Sequence, residues 1–367
     1  MAAVPTLPLR PMADTTQRFA RERLESFIAT ALLSVGLPAA DAATCAELMT
    51  RADLNGADGH GIFRLPQYVR RIRAGAVNVA PKVRIEREMA GMALVDGDNG
   101  MGHVAMKFAT QTAIAKAKIA GIAWVGVHHS NHAGPASLYA AMPLAEDMIG
   151  LYLAVGNANH MAPWGGIDLL LSTNPIAVAV PGLEEGPIVL DMATTVAAYG
   201  KVKTKAQRGE SMPEGWMIDY QGKPLTDPNK ANEGMLLPLG GHEGGYKGYG
   251  LSLLFGLLAG TLNSAALGSH TVDFNNDDTS VTNTGHTIVA ISLAAFGEVA
   301  AIKRDVDRVV RELRASRRLP GVARVWLPGE QSQAKQAERK RAGVPLPAVL
   351  LEGLNKLAAE LNIPALA

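Results

Sequence analysis

ALVDGDNGMGHVAMKFATQTAIAKAKIAGIAWVGV, residues 93–127, carries the reading of the fold. Residues 93–96 are a short apolar run that reads as a strand, after which Gly, Asp and Asn mark a turn. Residues 104–120 have the alanine-rich texture of a helix, and residues 122–127 return to a strand. Strand, helix and strand in succession argue for a layered α/β domain rather than separate α and β blocks.

The same alternation continues toward the C-terminus. Residues 142–147 read as helical, 149–155, 176–180 and 188–191 as strands, 246–262 as a glycine-punctuated helix, 287–293 as a strand and 298–316 as a helix. On the N-terminal side, residues 15–72 read as helices. One covers 21–35 and stops at Gly36 and Pro38; a second, capped by Asp41, runs through residue 52. Residues 75–89 are charged and turn-rich, and a last helix covers 347–361 with Pro347 at its first position. The expected organisation is a central α/β domain over 76–302, with helical segments from both termini, 15–75 and 303–367, outside it.

At 367 residues the chain is too long for one small core. Thirty-five basic residues against 34 acidic ones leave a formal charge of +1 with no basic stripe, so nucleic acid is not an expected partner. Cys45 is the only cysteine, which excludes an internal disulfide and a cysteine-based zinc site. Residues 1–14 lack the pattern of a secretion signal, and the longest apolar stretch, 251–262, is too short to span a bilayer. A cytoplasmic protein without membrane contact is the expectation.

Gly100-Met-Gly102-His-Val-Ala105 matches the dinucleotide pattern G-x-G-x-x-A. A Rossmann site also needs an acid at the end of the next strand to hold a ribose, and that strand ends in Val127-His128-His129. A tight turn before a core helix is the better reading.

Five segments carry candidate chemistry. In Gly59-His60-Gly61-Ile-Phe-Arg64-Leu-Pro66-Gln-Tyr68 the spacing of four puts His60, Arg64 and Tyr68 near one face of a helical stretch. A guanidinium fork clamps a carboxylate and an imidazole exchanges a hydroxyl proton as hydride leaves, which suits a 2-hydroxy acid. The bland alternative is a surface loop with a salt-bridged arginine. His128-His129-Ser130-Asn131-His132 invites a metal, but no carboxylate ligand can be named, and a polar loop facing a ligand is the better reading. Asn157, Asn159 and His160, with Ser172-Thr173-Asn174, offer uncharged donors and acceptors for an amide or a sugar, or satisfy their own turns. Asp191, Thr194 and Thr195 can bind a ribose or cap a helix. Lys247, set among glycines at 240–250, suits a phosphate or ribose, or marks a glycine-rich turn before a core helix.

In this order, GHGIFRLPQY, SNHAG, STNPIA, LDMATT with YGKV, and GGYKGYGL resemble the malate/L-lactate dehydrogenase family, which is distinct from the Rossmann-fold enzymes of similar name. The resemblance covers residues 27–330 and implies a non-Rossmann α/β cofactor domain with a mixed sheet, a helical substrate and dimer domain from both termini, NAD or NADP as cofactor, and a homodimer. By position, it makes His60 the acid/base, Arg64 the carboxylate clamp with Tyr68 beside it, and His132 a second catalytic histidine or a cofactor contact. It assigns Ser172, Thr173, Asn174, Asp191, Met192, Ala193, Lys247, Gly329 and Glu330 to the cofactor and implies no metal. Two departures stand out. Gly59 occupies the place of a serine that relays charge to the histidine in many relatives, and Lys201 stands where the cyclic imino-acid reductases carry an aspartate. A small anionic 2-hydroxy acid is therefore the expected substrate. The alternatives are a cyclic imino acid, or a metal-dependent hydrolase or lyase built on the histidine cluster.

Overall fold

The computed structural model describes residues 16–367; the stretch read above for a secretion signal lies outside them. In chain order the elements are β1 (Gln17–Phe19), α1 (Arg21–Ser34), α2 (Ala39–Leu54), α3 (Leu65–Arg73), β2 (Arg84–Met89), β3 (Met92–Asp96), α4 (Gly102–Ala120), β4 (Ile122–Ser130), α5 (Ser137–Ala140), β5 (Met148–Ala154), β6 (Ile176–Val180), β7 (Ile188–Met192), α6 (Tyr199–Arg208), β8 (Met217–Asp219), β9 (Gly234–Leu236), α7 (Gly241–Ala259), β10 (Thr284–Ser292), α8 (Val299–Arg314), α9 (Glu330–Ala342), β11 (Val344–Leu346) and α10 (Ala348–Leu361).

Seven strands form one mixed sheet in the order β2-β3-β4-β10-β5-β6-β7. Only β3 and β4 run parallel, joined by α4 as the crossover; every other neighbouring pair is antiparallel. Ala105, Ala109, Ala113 and Ala117 form a buried row on α4, one per turn, so the helix lies close on Val95, Val125, Val127 and Ile288. Gly102 has the reason expected of a packing turn. A Cβ there would overlap the carbonyls of Asn131 and His132, so the glycine seats α4 against the loop that ends β4.

A second core joins the two ends of the chain. β1 pairs antiparallel with β11, and Leu24, Ile28, Leu32, Leu54 and Leu65 pack with Leu346, Leu354 and Leu357. Each such buried leucine contributes roughly 1.5–3 kcal/mol. α8 is tied to the sheet side instead: Asp307 accepts from the main-chain amides of Leu183, Glu184 and Glu185.

Several local expectations need correction. The segment 75–89 contains strand β2, whose almost uniformly exposed residues show no apolar alternation. Asp41 lies inside the first turn of α2 rather than capping it, because the helix starts at Ala39 behind Pro38. Pro347 is the residue before α10, not its first helical residue. α7 begins at Gly241, five residues earlier than the glycine content suggests, since Gly245 and Gly248 are buried against Trp164 and Leu239. Close packing there outweighs weak helix propensity.

Candidate active site

Between α2 and α3 the chain makes two short 3-10 turns, Asp58–His60 and Ile62–Arg64, interrupted at Gly61. His60 and Arg64 therefore do not share a regular helix, and Arg64 is the residue that precedes α3, with Pro66 in the first turn where no amide donor is needed. The glycine after His60 is there for a buried carboxylate rather than for ligand access. A Cβ on Gly61 would overlap Asp53, which is 2% exposed and whose Oδ2 accepts from the Ile62 amide at 2.8 Å. From the far side, Arg339 of α9 donates to the Asp53 carbonyl and pairs with Asp58, so the C-terminal layer holds the loop that bears His60.

His60 Nδ1 lies 3.3 Å from His132 Nε2, and the two rings stack with centroids 5.3 Å apart. Behind them the Tyr68 hydroxyl is 2.5 Å from His132 Nδ1, and the Gly134 amide donates to the same nitrogen at 3.4 Å. The hydrogen-bonded pair shares one proton between His60 Nδ1 and His132 Nε2, and when His60 holds it the lone pair of its Nε2 is free to accept another. Burial, reinforced by the Arg64 guanidinium, holds the His60 pKa down at about 4. Burial and the neighbouring His60 push His132 well below its ordinary value, and burial raises Tyr68.

Arg64 donates to the Gly59 carbonyl at 2.9 Å, Gln67 Oε1 at 2.7 Å and Asn275 Oδ1 at 3.1 Å, and lies 5.2 Å from the Phe274 ring centroid. All three acceptors are neutral, so its charge has no paired carboxylate in these bonds. His60, Arg64 and His132 share one cleft with Asn157, His160, Ser172, Thr173, Tyr199, Lys203 and Asn275. Among the described residues that line it, none is acidic.

The remaining candidates divide between cleft and surroundings. Ser172 and Thr173 line the cleft, whereas Asn174 lies behind it, accepting from Gly156 N and donating to the Ser252 carbonyl. Asp191, on edge strand β7, is exposed and accepts from the Ser137 amide, with Met192 and Ala193 half-buried after it. The Pro328-Gly329-Glu330 turn packs beside the same strand through Val189 N to Pro328 O, and the Glu330 carboxylate is committed to Arg314 and Arg324. Lys247 is exposed on α7 and is not among the lining residues. Tyr68, expected at the substrate, stands behind His132 instead of lining the cleft. His128 and His129 turn away from His132: His128 pairs with Glu86 at 2.8 Å and His129 with Asp96 at 3.1 Å. Asp96 is the carboxylate the sequence could not name, but that group leaves His132 out.

The sequence reading missed Lys203 and Asn275. It weighed Lys201, but two residues along a helix is more than half a turn, and it is Lys203 that reaches the cleft. Asn275 belongs to a polar loop, Asp273-Phe-Asn-Asn-Asp-Asp278, whose composition signals only turns.

The family model for malate/L-lactate dehydrogenase matches residues 19–355. The chain is 37% identical over 353 residues to a malate dehydrogenase of Pyrococcus horikoshii, covering 95% of this chain and 97% of that one. It is 36% identical over 342 residues to a malate/(S)-sulfolactate dehydrogenase of Methanothermus fervidus, covering 93% and 97%. Among solved structures, a malate dehydrogenase of Entamoeba histolytica superposes with a TM-score of 0.91 at 30% identity, covering 95% of this chain and 99% of that one.

Proposed function

The chain belongs to the malate/L-lactate dehydrogenase family, and from that footing we propose that it interconverts a small 2-hydroxy acid and its 2-oxo acid with NAD or NADP. The observation that carries the reading is the cleft in which His60 and Arg64 converge without an acidic lining residue. Arg64 holds the substrate carboxylate in its fork. His60 exchanges a proton with the oxygen on the neighbouring carbon, and His132 holds the His60 tautomer, a role no side chain at Gly59 can take. Tyr68 acts one step back, by orienting His132.

Asn157, Ser172 and Thr173 present uncharged donors and acceptors beside these histidines, a set that fits the carboxamide of a nicotinamide. The cofactor, when bound, supplies or accepts the hydride. We assign its outer contacts to Asn174, Asp191, Met192, Ala193, Lys247, Gly329 and Glu330, and the cofactor domain to residues 76–302. A single parallel strand pair supports a non-Rossmann domain, because the dinucleotide fold is built on a mostly parallel sheet. The substrate and dimer domain, expected at 15–75 and 303–367, is assigned to 15–75 and to the C-terminal stretch from α9 onward, because Asp307 ties α8 to the sheet side. A homodimer is supported by the exposed apolar row Tyr246, Leu251, Leu254 and Leu257 on α7. None of the described helices is long and apolar enough to cross a membrane, and cytoplasmic residence is proposed with that. An unpaired Arg64 beside Lys203 disfavours the cationic cyclic imine.

The test is cofactor oxidation, with NADH and NADPH supplied separately against pyruvate, oxaloacetate, 3-sulfopyruvate and piperideine-2-carboxylate. Turnover on an open-chain 2-oxo acid is expected; turnover on the cyclic imine alone would overturn the reading.

A further inference from the structure

Asn275 Oδ1 accepts from two cations at once, Arg64 Nη1 at 3.1 Å and Lys203 Nζ at 3.4 Å. One neutral carbonyl oxygen is all that these bonds place between two positive charges. The orientation is built in. Asp273 Oδ1 accepts from the Asn275 amide at 2.9 Å and from Asn275 Nδ2 at 3.2 Å, which turns the carboxamide oxygen toward the cations. The other Asp273 oxygen is taken by Asn276 Nδ2 at 2.7 Å, so this carboxylate holds the loop and is not a lining residue of the cleft. Lys203 is exposed on α6 with its ammonium 5.6 Å from the Tyr199 ring centroid, and it lines the same cleft as His60. Partial burial and the nearness of Arg64 lower its pKa, against the opposing pull of the Asp273 carboxylate.

We propose that Lys203 is a second anion subsite, so that the preferred substrate is a short 2-hydroxy or 2-oxo acid bearing another acid group, carboxylate or sulfonate, at its far end. The proposal rests on the assignment of the cleft to hydride transfer. Arg64 takes the carboxylate next to the reacting carbon, and Lys203, on the other side of Asn275, takes the distal acid. A lysine suits this place because a point charge on a flexible stem accepts a planar or a tetrahedral anion alike, whereas the fork of Arg64 is shaped for a carboxylate. A monoacid such as pyruvate leaves Lys203 unanswered, and the lost charge-assisted contact corresponds to about 10- to 100-fold in kcat/KM. The rival occupant of Lys203 is a phosphate of the cofactor.

The test compares oxaloacetate, 3-sulfopyruvate and pyruvate as substrates of the full-length protein and of Lys203→Met and Asn275→Asp. The quantity read is the ratio of kcat/KM for each diacid to that for pyruvate, together with the KM of the cofactor. The wild-type ratio is expected to exceed about 10 and to fall by about tenfold or more in Lys203→Met. Asn275→Asp is nearly isosteric and sets a carboxylate between the cations, so it should also lower the ratio. A wild-type preference for pyruvate overturns the subsite and leaves the hydride-transfer reading intact. A ratio unmoved in Lys203→Met with a raised cofactor KM also overturns it and assigns Lys203 to the cofactor. If no oxo acid turns over, calorimetric binding of malonate and acetate separates the two readings. Malonate binding that is tighter than acetate binding and weakened in Lys203→Met keeps the subsite while hydride transfer fails; equal binding by both proteins removes both.

Discussion

At the scale of single residues the chemistry rests on a neutral imidazole. With burial and Arg64 holding His60 at about 4, the group is a base in the free enzyme throughout the physiological range. In hydroxy-acid oxidation, kcat/KM should therefore stay flat from pH 8 down to about 5 and fall only as pH approaches 4, measured with a substrate whose own acids remain ionised over that range. An acid limb at the ordinary imidazole value of about 6.5 would contradict the depressed pKa. His60→Ala should reduce kcat by roughly 10²- to 10⁴-fold, the usual effect of losing a general acid or base, and an unchanged rate would remove His60 from that role. Arg64→Lys should chiefly raise the substrate KM, because an ammonium cannot reproduce the two-pronged contact. His60 and Arg64 were legible in the sequence because an imidazole and a guanidinium in one glycine-flanked segment already name a reaction class. Lys203 was not: Lys201, Lys203 and Lys205 share one helix, and no periodicity says which of the three reaches the cleft.

At the scale of elements, the catalytic loop is held from two directions: by α2 through buried Asp53 and by α9 through Arg339. Arg339→Met keeps most of the side-chain volume while removing both the donor to the Asp53 carbonyl and the partner of Asp58. The Asp53 carbonyl keeps its bond from the Gly56 amide, so the loss is that of the charge-assisted contacts, about 1.5–3 kcal/mol, which a denaturant titration reads as a lower midpoint with an unchanged m-value. A fall in kcat should accompany it, since the loop carries His60; full stability would show that α9 is not part of the loop's support. Strongly patterned elements such as α1, α4, β6 and α10 were readable to within a few residues, because each buries an apolar face. β2 escaped because its residues are mostly exposed, so burial left no mark on its sequence, and α6 because Val202 is the only one of its described residues that is buried. The three histidines of the cluster do not converge on one point, for a topological reason. His128 and His129 end β4 opposite Asp96 of the parallel strand β3, whereas His132, a few residues on, lies beyond the turn and faces the cleft.

At the scale of the whole molecule, the same burial that keeps the site neutral makes the fold sensitive to acid. His103 is wholly buried with neither ring nitrogen hydrogen-bonded, and burial lowers its pKa to about 3; His286, 2% exposed beside Tyr152, is lowered to about 4. In the unfolded chain both return to about 6.5, so between those values the unfolded state binds more protons than the folded one. Stability is thus fully present above about pH 6.5 and is lost as pH falls below it, by about 1.4 kcal/mol per pH unit for each group once the unfolded histidine is protonated. Between pH 6 and 5, before the carboxylates contribute strongly, the unfolding free energy should already decline at a slope near two protons or more. His103→Leu removes one of these groups and should reduce the slope by about one proton, whatever it does to stability at pH 7.5. Denaturant midpoints at pH 7.5, 6.0 and 5.0 for both proteins decide it. An identical slope in the variant would mean that His103 gains a proton inside the fold, and that the interior behind His60 and His132 is wetter than its packing indicates.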